Sequence, residues 1–178
     1  MLVEVRVQSL ALDRSSNTPV VILEELAGER VLPIWIGPGE ASAIAMQLAD
    51  MEFARPLTHD LLCSVMRGLG GTLERVIITR VEKSTYFAEL IVRRNGEVFS
   101  LDARPSDSIA VALRVDARIF AQDDLLESAS IEVADEEAVA DLPFDVHEQV
   151  VEPESMGPDE LKEHLRKLNP EDFGRFTP

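Results

Sequence analysis

Three strings in this sequence concentrate side chains able to bind or move charge. In RPLTHDLL, residues 55–62, a guanidinium (Arg55), an imidazole (His59) and a carboxylate (Asp60) fall close together. Arginine presents a planar fork that matches a phosphate, and histidine exchanges a proton near neutral pH. In LDARPSDSIAVALR, residues 101–114, Asp102, Arg104, Ser106 and Asp107 stand at the junction of two elements. Carboxylates at a strand end and at the start of the next helix can converge on one hard cation such as Mg²⁺. In IGPGEASAI, residues 36–44, two glycines lead into a helix start and Glu40. Free N–H groups at such a junction suit an anion. Each string also has a plainer explanation. Glu40 and Asp60 stabilise a helix dipole, and Asp102, Arg104 and Asp107 form an ion-pair network that pins a helix start. GPG lacks the further glycines of a dinucleotide fingerprint and the Lys-Ser/Thr pair of a P-loop.

These residues need elements to position them. Val3, Val5 and Val7 alternate with charged residues as in a half-buried strand. Residues 19–23 and 30–36 are further strands, with Gly28 as the turn between them. Residues 40–50 predict an alanine-rich helix with Ile44, Leu48 and Met51 on its inner face. A second helix opens at Thr58 as N-cap, with Leu61, Leu62, Val65, Met66 and Leu69 as its apolar stripe, and Gly70-Gly71 ends it. Residues 72–81, 85–92 and 98–103 predict an antiparallel meander, and Asn95-Gly96 is a strong hairpin signal. A helix over 104–114 follows, capped by Ser106, then a strand at 118–121 and a short helix at 122–128. The expectation is an α+β fold, with a compact mixed or antiparallel sheet containing a β-meander and three to four helices.

Composition narrows the classes. The chain has 178 residues, 46% of them apolar and 5% aromatic, so aliphatic side chains must fill the core. No run approaches the roughly 18 apolar residues of a membrane span, and the N-terminus alternates too regularly for a signal peptide. Cys63 is the one cysteine, which excludes an intramolecular disulfide and a cysteine zinc site. A cytoplasmic protein is the expectation. The net charge of −16 is uneven: residues 1–130 hold 13 Lys+Arg against 19 Asp+Glu, and residues 131–178 hold 4 against 14. The division is therefore a domain over 1–130 and an acidic, partly disordered tail over 131–178, with a short amphipathic helix at 158–168. Acidity argues against nucleic acid, yet twelve of the domain's thirteen basic residues are arginine. Arg67, Arg75, Arg80, Arg93 and Arg94 could supply a cationic track.

LPIWIGPGEASAI, RPLTHDLL and LDARPSDSIAVALR, in this order and with a meander between the last two, resemble the bifunctional nuclease (DNase/RNase) family from about Val3 to about Ser130. The resemblance implies a compact α+β domain that self-associates and degrades both DNA and RNA with little sequence preference. The matched motif positions are Glu40, Arg55, His59, Asp60, Asp102, Arg104, Ser106 and Asp107. Residue chemistry suggests a division of labour among them. Asp60, Asp102 and Asp107 would hold a divalent metal, Mg²⁺ or Mn²⁺, that polarises the phosphoryl group. His59 would act as general acid or base beside those carboxylates, Arg55, Arg104 and Ser106 would hold phosphate, and Glu40 would support them. The competing reading is a non-catalytic homo-oligomeric binding or regulatory module with an anion pocket, a dimer by base rate. A nucleophilic Cys or Ser hydrolase has little support, since no G-x-S-x-G elbow is present and Cys63 suits a core position.

Overall fold

The valine alternation near the N-terminus opens a longer strand than its period indicates: β1 spans Leu2–Asp13. A bulge between Val7 and Ser9 bends it. The computed structural model describes residues 1–13 and 16–129 and the backbone of two short strands at 131–132 and 144–145. The helix expected over 158–168 and most of the acidic tail lie outside the described residues.

β1 continues into a meander with β2 (Thr18–Glu25) and β3 (Arg30–Trp35). A second meander consists of β4 (Gly71–Glu82), β5 (Thr85–Arg94) and β6 (Glu97–Ala103). Its hairpins turn on Lys83-Ser84 and Asn95-Gly96, four residues that all hold positive φ. Gly96 tolerates that geometry because it has no Cβ, and asparagine visits it readily. Lys83 and Ser84 adopt it without that advantage. The strand β7 (Arg118–Gln122) joins the meanders, antiparallel to β1 and parallel to β4. The order is β6-β5-β4-β7-β1-β2-β3, and the short strands β8 (Ile131–Glu132) and β9 (Phe144–Asp145) pair with β3 and β1. Among the described residues, four helices complete the α+β fold: α1 (Pro38–Leu48), α2 (Thr58–Gly68), α3 (Pro105–Val115) and α4 (Asp123–Ala129).

α3 is the hub. It packs against β4, β5 and β7 and against both α1 and α2. Ser108, Ile109, Ala110, Val111 and Ala112 are all buried, so the helix has almost no solvent face over one full turn. Its alanines and serine allow neighbours to approach closely. Ile109 and Val111 each contribute on the order of 1.5–3 kcal/mol by leaving water. Leu23, Leu32, Ile34, Val76, Ile78 and Leu126 complete the same aliphatic core.

Four local expectations are corrected. Leu57, in extended backbone, is the N-cap of α2, and Thr58 is its first helical residue. Arg104 caps α3 and Pro105 opens it, so Ser106 lies inside the helix and is buried. Proline forces the preceding residue into extended backbone, which puts the boundary at Arg104 rather than two residues later. The α2 stripe is also displaced. Leu61, Leu62, Val65 and Leu69 are exposed, while Cys63 is buried and Met66 is half-buried against the core. On the same helix, His59 and Asp60 make polar bonds to α3. On α1, Ile44 is buried as expected, but Leu48 is exposed and Met51 lies beyond the helix end.

Candidate functional site

Four side chains link the first turns of three helices. Arg104, fixed in extended backbone by Pro105, turns its guanidinium back over α3. Its Nε donates to Asp107 Oδ2 at 2.7 Å and Nη2 to Oδ1 at 3.2 Å, a bidentate pair within one turn. Nη1 donates to Glu40 Oε1, in the first turn of α1, at 2.7 Å. Asp107 Oδ1 in turn meets His59 Nε2, in the first turn of α2, at 3.1 Å. The result is a chain, Glu40–Arg104–Asp107–His59, at a point where three helix N-termini meet. Aligned peptide dipoles make such a point favourable to negative charge.

The environments differ along this chain. The Arg104 side chain is 62% exposed, whereas His59 is 15% exposed. Burial works to raise the Asp107 carboxyl, but hydrogen bonds from Arg104 and His59 outweigh it and hold the group below its ordinary value. Asp107 is therefore ionised at neutral pH and can orient the imidazole. Gly37, the N-cap of α1, leaves room for Glu40: a Cβ there would press on the Glu40 carboxylate.

His59 and Asp107 line a depression of about 370 Å³ together with Asp102, at the end of β6, and Leu62, Leu90 and Leu101. Asp102 stands opposite Glu89 across the β5–β6 ladder. Like charges directly opposite are unfavourable in a sheet, and packing gives no reason for the pair.

The other expected residues fall elsewhere. Asp60 follows His59 directly but points away from it. Its Oδ2 accepts the Leu57 N–H at 2.8 Å and its Oδ1 accepts Arg114 Nε at 2.6 Å. Those two bonds, the Leu57 amide first, hold its carboxyl below the ordinary range. Arg55 and Asp60 line a separate cavity of about 310 Å³ with Phe53, Cys63 and Arg67. Ser106 is buried and offers little surface to a phosphate. The expected set of three metal-binding aspartates is thus divided between two sides of α2. Among the described residues, no three His, Cys, Asp or Glu side chains are grouped to hold a metal ion.

Arg114 was not singled out from the sequence, yet it organises this region. Its side chain is 5% exposed. Besides Asp60 of α2 it bonds the carbonyls of Ala110, on its own helix, and Ala43, on α1, at 2.9 and 3.3 Å. One guanidinium thereby ties the three helices that carry the site. A cation at a helix C-terminus reads as dipole compensation, so the sequence held no sign of these long-range partners.

The bifunctional nuclease domain matches residues 21–134, well over half of the chain. The chain belongs to the bifunctional nuclease domain family. Within this family, the uncharacterized protein Rv1829 of Mycobacterium tuberculosis is 40% identical over 170 residues, covering 96% of this chain and 97% of that protein. Bifunctional nuclease 1 of Arabidopsis thaliana is 26% identical over 105 residues, covering 57% of this chain and 32% of its own. Bifunctional nuclease 2 of Oryza sativa subsp. japonica is 26% identical over 111 residues, covering 60% and 34%. The chain thus spans about a third of these plant proteins. Glu40, His59, Asp102, Arg104 and Asp107 all lie inside the span matched by the bifunctional nuclease domain. No helix among the described residues is long and apolar enough to cross a membrane.

Proposed function

We propose that this chain hydrolyses phosphodiester bonds in RNA and DNA with little sequence preference, using His59 and Asp107 as an acid–base pair and Arg104 to hold the scissile phosphate. The observation that carries this reading is the Glu40–Arg104–Asp107–His59 chain across three helix N-termini. The plant relatives' name, bifunctional nuclease, supports it. Asp107 holds His59 through Nε2, which leaves Nδ1 to take a proton from an attacking water and return it to the departing oxygen. A guanidinium carries five N–H donors, and Arg104 commits three of them to Asp107 and Glu40. The remaining two are free for phosphate oxygens, on a largely exposed side chain. Recognition through phosphate carries no sequence information, which agrees with broad specificity.

The geometry does not support a three-aspartate metal site, because Asp60 is committed to Leu57 and Arg114. Asp107 is likewise committed, to Arg104 and His59, so Asp102, in the same depression, is the carboxylate that would contact a divalent ion such as Mg²⁺ or Mn²⁺. When bound, it would supply positive charge to the phosphoryl oxygens.

Self-association belongs to the same proposal. Leu61, Val65 and Leu69 on α2 and Val98 and Phe99 on edge strand β6 are all exposed, and a homodimer would cover them. A second reading, a non-catalytic anion-binding oligomer, draws on the two carboxylates that already neutralise Arg104. Cleavage of labelled single-stranded RNA and DNA, with Mg²⁺, Mn²⁺ or EDTA, decides between the two. The nuclease reading expects turnover by wild type that His59→Ala abolishes without altering the fold. Absence of cleavage under every condition favours the binding module.

A further inference from the structure

The cavity on the Asp60 side of α2 carries more guanidinium than carboxylate in its wall. The chain carries a net −16. Among the described residues, seven arginines have a carboxylate within ion-pair distance. Arg55 and Arg67, both in the wall of this cavity of about 310 Å³, have no such partner among the described residues. The one carboxylate in that wall, Asp60, is neutralised by buried Arg114. Two uncompensated guanidiniums thus share one concavity in a chain rich in acids. Beside them Phe53 exposes 43% of its surface, in a chain with 5% aromatic residues. Unpaired arginines next to an exposed ring are the components of single-strand binding, in which phosphates meet guanidiniums and a base stacks on the ring.

We propose that this cavity is a second phosphate subsite, taking a nucleotide that flanks the cleaved bond in a single strand. The proposal rests on the nuclease reading. His59 and Asp60 are adjacent on α2 and line the two depressions separately, so a strand crossing the start of that helix would pass from one to the other. Arg55 and Arg67 would hold the flanking phosphate, and Phe53 would stack on a base without reading its identity. The volume is at the low end of ligand pockets, which suits one nucleotide rather than a duplex.

The test is binding of phosphorothioate-linked single-stranded hexamer and dimer probes, followed by fluorescence anisotropy over a salt series. Wild type is expected to bind the hexamer at least about tenfold more tightly than the dimer, since only the longer strand reaches both depressions. The Arg55→Ala/Arg67→Ala double variant should lose most of that preference. Its log–log salt slope should shrink by roughly 0.7, the value for one lost phosphate contact on a single strand. Arg55→Lys/Arg67→Lys should keep the slope. Phe53→Leu should weaken binding while leaving the slope as it was. A double alanine variant that binds the hexamer with wild-type affinity and slope overturns the subsite, as does a wild type that shows no length preference. Failure of the nuclease reading is separable: there, wild type binds the hexamer through Arg55 and Arg67 yet cleaves neither natural RNA nor DNA.

Discussion

His59 and Asp60 are neighbours in sequence and belong to different parts of the protein. His59 joins Asp107 in a depression open to solvent, and Asp107 in turn pairs with the mostly exposed Arg104. Asp60 joins Leu57 and the buried Arg114, and through Arg114 it holds α1, α2 and α3 together. One step along a helix turns a side chain by about 100°, so adjacent polar residues at a helix start face different surroundings. The comparison shows that a cluster of catalytic residue types in sequence can resolve into one acid–base pair and one structural tie. Burial of the partner arginine separates them: 5% exposure for Arg114 against 62% for Arg104.

The strongest way to break this contrast is to remove the structural arginine. Arg114→Met leaves Asp60, Ala43 and Ala110 without their donor, and a cost of about 2–4 kcal/mol is expected, tempered by the water that reaches Asp60. Thermal denaturation should show a midpoint lower by roughly 5–12 °C. A variant as stable as wild type would show that the tie contributes little.

A smaller effect concerns pH. The folded carboxyl of Asp60 is held below its ordinary value, as is that of Asp107. Such groups contribute stability fully above the unfolded aspartate pKa of about 3.9, and the contribution is lost as pH falls through the depressed folded value. Denaturant midpoints measured from pH 6 down to pH 2 should therefore fall in wild type and fall less steeply in Asp60→Asn. Parallel curves would remove Asp60 from the account of acid sensitivity.

The smallest expected effect tests the outer end of the polar chain. Gly37→Ala puts a Cβ against the Glu40 carboxylate and loosens its hold on Arg104. A loss of roughly three- to tenfold in kcat/KM is expected, short of the hundredfold that misplacing a reacting group by about 1 Å can cost. Full activity would mean that Glu40 does not position Arg104.

How much of this the sequence disclosed depended on the range of each interaction. The second meander and its Asn95-Gly96 turn were legible because hairpin chemistry is local. The α3 start was legible to within two residues because proline dictates the boundary. His59, Arg104 and Asp107 were identified by residue type, and the structure unites them. Partnerships across long separations were not legible. Arg114 meets Asp60 at a separation of 54 residues and Arg104 meets Glu40 at 64. The face of α2 was also misread. Its apolar spacing pointed to Leu61, Leu62, Val65 and Leu69, while those residues are exposed and Cys63 is buried, on a helix whose His59 and Asp60 bond to α3.

The most direct test of the division between the two aspartates is a paired measurement on Asp107→Asn and Asp60→Asn, taking kcat on single-stranded RNA alongside the thermal midpoint. The account predicts that Asp107→Asn loses about 10²–10⁴-fold in kcat, the range for impaired acid–base catalysis, and lowers the midpoint by less than Asp60→Asn does. Asp60→Asn should instead lower the midpoint while each folded molecule still cleaves. The reverse pattern, with Asp60→Asn folded but inactive and Asp107→Asn active, would contradict the assignment of chemistry to the His59 side of α2.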